Sequence, residues 1–156
     1  MRRNAIRTML SVMPILIILV TANGGCTNMA EQSNEDIKSV IEEAYIRGIH
    51  GNQDEDLIRS GFHEGFQMLV LAENAIEKVG IDDWLTRIES MKKDNPELWS
   101  AEATRQFKLI NVDGYAAVAV LDVYRGETHF STDYMLLYKF NEGWMIVSKI
   151  FSIPQN

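Results

Sequence analysis

The sequence predicts an α+β domain, with three helices packed on one side of a curved antiparallel sheet of about four long strands plus a short hairpin. Three observations carry this. Helical periodicity is confined to the part of the chain before Pro96, interrupted there only by two short strand-like runs. Everything after about Ala101 reads as strand. The last quarter, Phe130 to Phe151, is a β-hairpin in which two aromatic-rich apolar runs flank Asn141-Glu142-Gly143. Helices and strands segregated in this way form two layers rather than an alternating parallel-sheet fold.

The chain opens on an export layout. Arg2, Arg3 and Arg7 precede the uncharged run Met9 to Val20, and small residues follow at Thr21, Ala22, Gly24 and Gly25. The run is shorter than the roughly 20 residues a bilayer span requires, and Pro14 interrupts it. Residues 1–25 therefore read as a signal segment, which puts the mature domain in the periplasm or outside the cell. Cys26 is the single cysteine and follows directly. Its position after Gly24-Gly25 resembles the lipidation box of bacterial lipoproteins, in which the thiol takes a diacylglycerol and becomes the mature N-terminus. Asn23 stands where that box carries an aliphatic residue. Two fates are open: anchoring in the envelope through Cys26, or cleavage after Ala22 and release. A lone cysteine permits no internal disulfide, so the exported domain rests on its core.

Without residues 1–25 the basic count falls from 15 to 12 while all 22 acidic residues remain, a net charge of −10 on one domain of 131 residues. An acidic body without a basic stripe excludes nucleic acid as a partner class and disfavours anionic lipid surfaces, so membrane contact is expected only through an N-terminal anchor.

Residues 26–34 are polar and aperiodic and read as a flexible tether, with the domain proper at 35–156. Ser33 with Asp36 opens the first helix as a capping box, and Ile37, Val40, Ile41, Ala44, Tyr45 and Ile49 give it an apolar stripe that Gly48 and Gly51 end. A second helix, Gln53 to Ser60, is expected with Asn52 as its cap and Gly61 as its stop. Gln67 to Leu71 and Ala75 to Val79 form a short hairpin around Glu73-Asn74. The third helix has Trp84, Leu85, Ile88 and Met91 on one side, Asp82 as N-cap, and Pro96 as its limit. Four strands follow, Thr104–Val112, Tyr115–Tyr124, Thr128–Phe140 and Trp144–Ile153, joined by Asp113-Gly114, Arg125-Gly126-Glu127 and the final turn.

Particular motifs go further. A helix carrying Tyr45-x-x-Gly48 is followed by Phe62-His63, then by Asp133-Tyr134-x-x-Leu137 and by Gly143-Trp144-x-Ile146-Val147-x-Lys149-x-Phe151. This series resembles the NTF2-like superfamily, the cone-shaped (cystatin-like) α+β fold shared with the SnoaL-like cyclases and ketosteroid isomerase. Within it the series is most similar to a bacterial family described as putative lumazine-binding. The chain departs from that pattern at Glu64, where proline often follows the Phe-His pair. The resemblance implies a pocket between sheet and helices, and pairing of two copies through their sheets. It leaves function open, because this fold hosts enzymes, binders and dimerisation modules alike.

Each candidate site residue has two readings. Tyr45 lies on the apolar stripe, so its hydroxyl either completes the core or donates to an oxyanion, as a first-helix tyrosine does in ketosteroid isomerase-like members. His63 with Phe62 borders the expected cone mouth, where an imidazole either shuttles a proton or holds the loop. Asp133 is a carboxylate inside an apolar strand, sharing a face with Ser131, Met135, Leu137 and Lys139. It is either a general base or the partner of a cation, Arg105 or Lys149. Those two cations either turn inward, where they would select a ligand carboxylate, or cover a sheet face with their stems while the charge reaches water. Trp84, Trp99 and Trp144 are either core or edge packing or platforms for a flat ligand, and Trp84 is the candidate platform among them.

No cofactor or metal is expected: His50, His63 and His129 lack ligand spacing, and no phosphate-binding glycine loop or nucleophile elbow is present. The expected function is an exported, non-catalytic module that binds a small apolar or aromatic ligand or dimerises. The alternative is a cofactor-free isomerase, cyclase or dehydratase acting on a hydrophobic carbonyl compound, which requires Tyr45, His63 and Asp133 to meet at one open cavity.

Overall fold

The computed structural model describes residues 25–155. The export segment lies outside them except for Gly25, and so does the side chain of Cys26. Helix α1 spans Gly25–Val40 and continues as a π-helical stretch, Ile41–Asn52. Residues 27–34, expected as a tether, are thus helical. Residues 29–34 bury no side chain, so their aperiodicity marks a helix stretch without a buried face, not the absence of a helix. Met29 is exposed, and Gln32 donates to Asp36 one turn on at 2.8 Å.

Ile37, Ile41, Ala44, Tyr45 and Ile49 are all buried, and each fully buried isoleucine contributes about 1.5–3 kcal/mol. Gly48 does not end the helix as expected. The stretch breaks at Gly51, where the backbone leaves helical angles, and Gln53 closes it in the left-handed region by donating to Gly48 O at 3.0 Å. Gly48 serves a different need, close packing of α2 (Glu55–Gly61). A Cβ at Gly48 would meet Ile58 Cγ1 at 2.8 Å, and one at Gly61 would meet Ala44 Cβ at 2.4 Å. Asp54 caps α2, its Oδ1 accepting from Leu57 N at 3.0 Å, in place of the expected Asn52.

Strand β1 (Phe62–Ala72) begins directly at α2, so Phe62-His63 lies in a strand and not in a loop. It pairs with β2 (Ala75–Val79) around the expected turn. In α3 (Ile81–Asp94) the N-cap is Gly80. Asp82 stands in the first turn and pairs with Arg59 of α2 at 2.8 Å, which corrects its expected capping role. Pro96 stops α3 but also opens a short unanticipated helix, α4 (Pro96–Ser100), which Asn95 caps by accepting from Leu98 N.

Strands β3 (Ala103–Asp113), β4 (Ala116–Arg125), β5 (Thr128–Phe140) and β6 (Gly143–Ser152) form the expected meander. The sheet order is β2-β1-β6-β5-β4-β3, and β1 runs parallel to β6, so the sheet is mixed, not wholly antiparallel. The long excursion through α3, α4 and four strands returns β6 beside β1 in the same direction, which local hairpin signals cannot specify. The helices cover one face, burying Ala117, Ala119, Leu121 and Val123 of β4 with Met135 and Leu137 of β5. The opposite face leaves Leu109, Tyr134, Leu136, Tyr138 and Ile150 about half exposed.

Two irregularities position the site. The π-helical stretch is wider than an α-helix, so residues five apart become neighbours on one side. In β6 the pairing steps from Leu136↔Ser148 to Leu137↔Ile146, leaving Val147 as an extra residue. Trp144 and Ile146 point to the helices on one side of this bulge, and Lys149 and Phe151 do so on the other.

Candidate functional site

Between the helices and the sheet lies a cavity of about 490 Å³. Its walls are almost wholly apolar: Met68 and Val70 of β1, Trp84 and Ile88 of α3, Trp99 of α4, and Phe130 and Phe151 of the closing hairpin. Thr86, Arg87, Ser90, Met91 and Ile153 are exposed and form its rim. The polar lining converges at the inner end, in Tyr45, His50, Ser131 and Lys149.

Tyr45 and Asp133 are fully buried and Lys149 is 4% exposed. Tyr45 donates its hydroxyl to Asp133 Oδ2, while Lys149 Nζ donates to the Tyr45 oxygen at 2.6 Å and to Asp133 Oδ2 at 2.8 Å. The register explains the meeting: Met135 lies opposite Lys149 and Asp133 opposite Phe151, so Asp133 and Lys149 are diagonal neighbours on adjacent strands. Burial raises the Tyr45 pKa well above 10, and the Asp133 charge adds to this, so the phenol stays protonated. Burial also lowers the Lys149 pKa, while Asp133 acts in the opposite direction. Lys149 Nζ lies 4.7 Å from the Tyr45 ring centroid and 5.0 Å from that of Trp84. Tyr45 and Lys149 line the cavity, whereas Asp133 stands behind them and orients both.

A second cluster adjoins the first. His50 packs edge-on against Tyr45, with centroids 4.6 Å apart, and lies parallel to Trp99. Arg125, 2% exposed, lies over Trp99 at 3.7 Å and donates to His50 O at 3.0 Å and Ala101 O at 3.3 Å. Its Nη2 also meets His50 Nδ1 at 3.1 Å. Burial pushes the Arg125 pKa down to about 10. Burial lowers the His50 pKa well below 6.5, and the charges of Lys149, Arg125 and Lys92 lower it further.

Of the residues singled out in the sequence, Tyr45, Trp84 and Lys149 line the cavity and Asp133 supports them. Phe62 is buried in the core, edge-on to Tyr45 and Trp84, and is not part of the lining. His63 stacks on Phe140 with centroids 4.7 Å apart, and its Nδ1 accepts from Gly65 N, so it does not join Tyr45 and Asp133. Arg105 pairs with Glu42 at 2.5 Å away from the cavity. Lys149, not Arg105, is therefore the cation that meets Asp133.

His50 and Arg125 were missed. One signal for Arg125 was available, since the inward alternation Ala117, Ala119, Leu121, Val123 extends to residue 125. His50 had none, because α-helical spacing places Ile49 above Tyr45 and only the π-helical widening substitutes His50.

The comparisons agree with this architecture. A family model described as "Putative lumazine-binding" matches residues 32–152. Among solved structures, an NTF2-like protein of unknown function from Shewanella baltica is 21% identical, with a TM-score of 0.60 over 81% of this chain and 97% of that one. One from Silicibacter pomeroyi is 14% identical, with a TM-score of 0.63 over 80% and 98%. An NTF2-like protein with a cystatin-like fold from Novosphingobium aromaticivorans is 16% identical, with a TM-score of 0.60 over 84% and 88%. Likeness at these identities establishes the fold alone. Nothing among curated proteins matches the chain. Six strands in this order, helices on one face and a family match over residues 32–152 make the chain a member of the "Putative lumazine-binding" family, with the NTF2-like α+β fold.

Proposed function

We propose that this domain binds a small, largely apolar or aromatic molecule in the cavity between its sheet and helices. The observation that carries the reading is the cavity itself: about 490 Å³, apolar on its walls, with polar groups gathered at one end. Small-molecule sites typically have this size and this division of labour. Trp84 and Trp99 offer flat surfaces, while Tyr45 and Lys149 meet the ligand's polar end. The enzymatic alternative needs His63 beside Tyr45 and Asp133. Instead His63 is stacked on Phe140, and Asp133 is already engaged by two donors behind the cavity wall.

Native mass spectrometry of protein purified from its source tests the proposal. The expected result is a retained small molecule, released on denaturation. Lumazine, which the family's description names, is one probe for the emptied protein, read by quenching of tryptophan fluorescence. A protein with no retained mass that accepts no apolar probe would refute the reading. Export and sheet-to-sheet dimerisation belong to the same proposal. The sequence of residues 1–26 supports the first and the apolar outer face supports the second. Globomycin sensitivity with mass analysis of the mature N-terminus tests anchoring; an unmodified chain beginning at Asn23 would refute it.

A further inference from the structure

We infer that the ligand's polar end is an anion, a carboxylate on an apolar or aromatic body, and that His50 is the residue that selects it. The inference rests on the cavity-binding reading above and adds the chemistry of the ligand.

It begins with Arg125. This guanidinium is buried, and its hydrogen bonds go to two carbonyl oxygens and to the imidazole of His50. Among the described residues it has no carboxylate partner. Lys149 and Asp133 offset each other, so the buried inner end of the cavity carries one more positive charge than negative. A buried charge without a counter-ion is costly, and an anionic group arriving from the cavity would relieve that cost.

The route from Arg125 to the cavity is His50. A guanidinium only donates, so His50 Nδ1 must accept from Arg125 Nη2. The neutral ring then carries its proton on Nε2. That atom is buried and has no partner among the described residues, and the ring lines the cavity. His50 is thereby locked as a hydrogen-bond donor, with a cation behind it that strengthens the donor. Lys149 also lines the cavity, with its Nζ 4.7 Å from the centroid of the Tyr45 ring, and of its three donors two go to Tyr45 and Asp133, leaving the third free. Ser131 Oγ is likewise buried, unpartnered among the described residues and in the lining. The free donors of His50 and Lys149 call for an acceptor, and the surplus charge makes that acceptor an anion. Arg125 acts only through His50 and is a positioning residue.

The test is fluorescence titration of the ligand-stripped full domain with four probes on one apolar body: 2-naphthoate, 2-naphthaldehyde, 2-naphthalenemethanol and 2-naphthylmethylamine. The naphthoate is expected to bind at least tenfold tighter than the alcohol and the amine. His50→Phe, which keeps a stacking ring but removes the donor, should lose that preference, the naphthoate affinity falling by more than that of the alcohol until the two are alike. His50→Gln, which retains an N–H, should restore part of it. Nitrogen-15 spectra of wild-type His50 supply a readout that does not depend on a variant folding, with the Nε2–H tautomer expected and its proton shifted on adding naphthoate. An Nδ1–H tautomer, or an amine bound as tightly as the carboxylate, overturns the inference and leaves cavity binding intact. Failure of all four probes to bind overturns both.

Discussion

Replacing Lys149 by methionine tests whether the buried Tyr45–Asp133–Lys149 group is held together by charge. Methionine preserves the stem that packs near Trp84 and removes only the ammonium. Asp133 would then be a fully buried carboxylate with Tyr45 as its single donor, since its Oδ1 already lacks a partner among the described residues. Removing one member of a buried pair costs about 3–5 kcal/mol, because the other charge stays buried. For a domain of this size that lowers Tm by roughly 10–20 °C. Asp133→Asn alone should cost less, because Lys149, its pKa already lowered by burial, can shed a proton. The double variant Lys149→Met/Asp133→Asn leaves no buried charge in the group, so it should recover about 1–3 kcal/mol relative to additivity. Urea unfolding followed by tryptophan fluorescence, with unchanged m-values, measures all four proteins. A Lys149→Met cost below about 1 kcal/mol, or single costs that simply add, would refute the reasoning, because the carboxylate would then have to be solvated or paired elsewhere.

Three further outcomes follow from the same structure. His50 is neutral when folded, with a pKa well below 6.5, but takes up a proton below 6.5 when unfolded. The unfolded state therefore binds more protons, and stability is lost as pH falls from about 6.5 towards the folded value, at up to about 1.4 kcal/mol per pH unit. The groups facing the ring are Tyr45, Arg125, Lys149 and Lys92, and His50→Gln should flatten the curve between pH 6.5 and 5; parallel curves would refute this. Gly61→Ala should destabilise by about 1–3 kcal/mol in urea melts, because the new methyl would meet Ala44 Cβ at 2.4 Å between two packed helices. If two copies pair through their sheets as proposed, Leu136→Asp on the half-exposed outer face should reduce the mass in light scattering to that of a monomer; an unchanged dimer mass would refute pairing through this face.

How far the site was legible depended on whether regular periodicity held. Tyr45 follows Ile37 and Ile41 at strict helical spacing, so its inward direction could be read directly. Asp133 was conspicuous as a charge within an apolar strand, and the face it shares with Ser131, Met135 and Leu137 is the buried one. Lys149 was a candidate whose direction could not be read. Strict alternation groups Trp144 and Ile146 with Ser148 and Ile150, and only the extra residue Val147 brings Lys149 to their side. Arg105 illustrates the converse. Its place among apolar neighbours left both an inward and an outward direction open, and Glu42 on the π-helical stretch holds it away from the cavity. His63 failed for a reason of chain path, since β1 begins at Phe62 with no intervening loop.

The two irregularities that defeated periodic reading share a consequence, and that bears on function. An α-helical continuation would set Ile49 above Tyr45; the π-helical stretch sets His50 there. A regular β6 would turn Ser148 and Ile150 inward; the bulge turns Lys149 inward. The π-helical stretch buries His50 in addition to Ile49, and the bulge buries Lys149 while Ile150 is left half exposed. Neither choice favours stability by itself, since both bury groups whose charged forms are penalised by desolvation. Departures from regular geometry that carry polar side chains to one cavity are expected where a site, not a core, is being built. Both departures converge on the Tyr45 ring, from opposite layers of the domain. A cavity assembled this way is better explained by a ligand with a polar end than by incomplete packing, because a regular β6 would have turned Ile150 inward in place of Lys149.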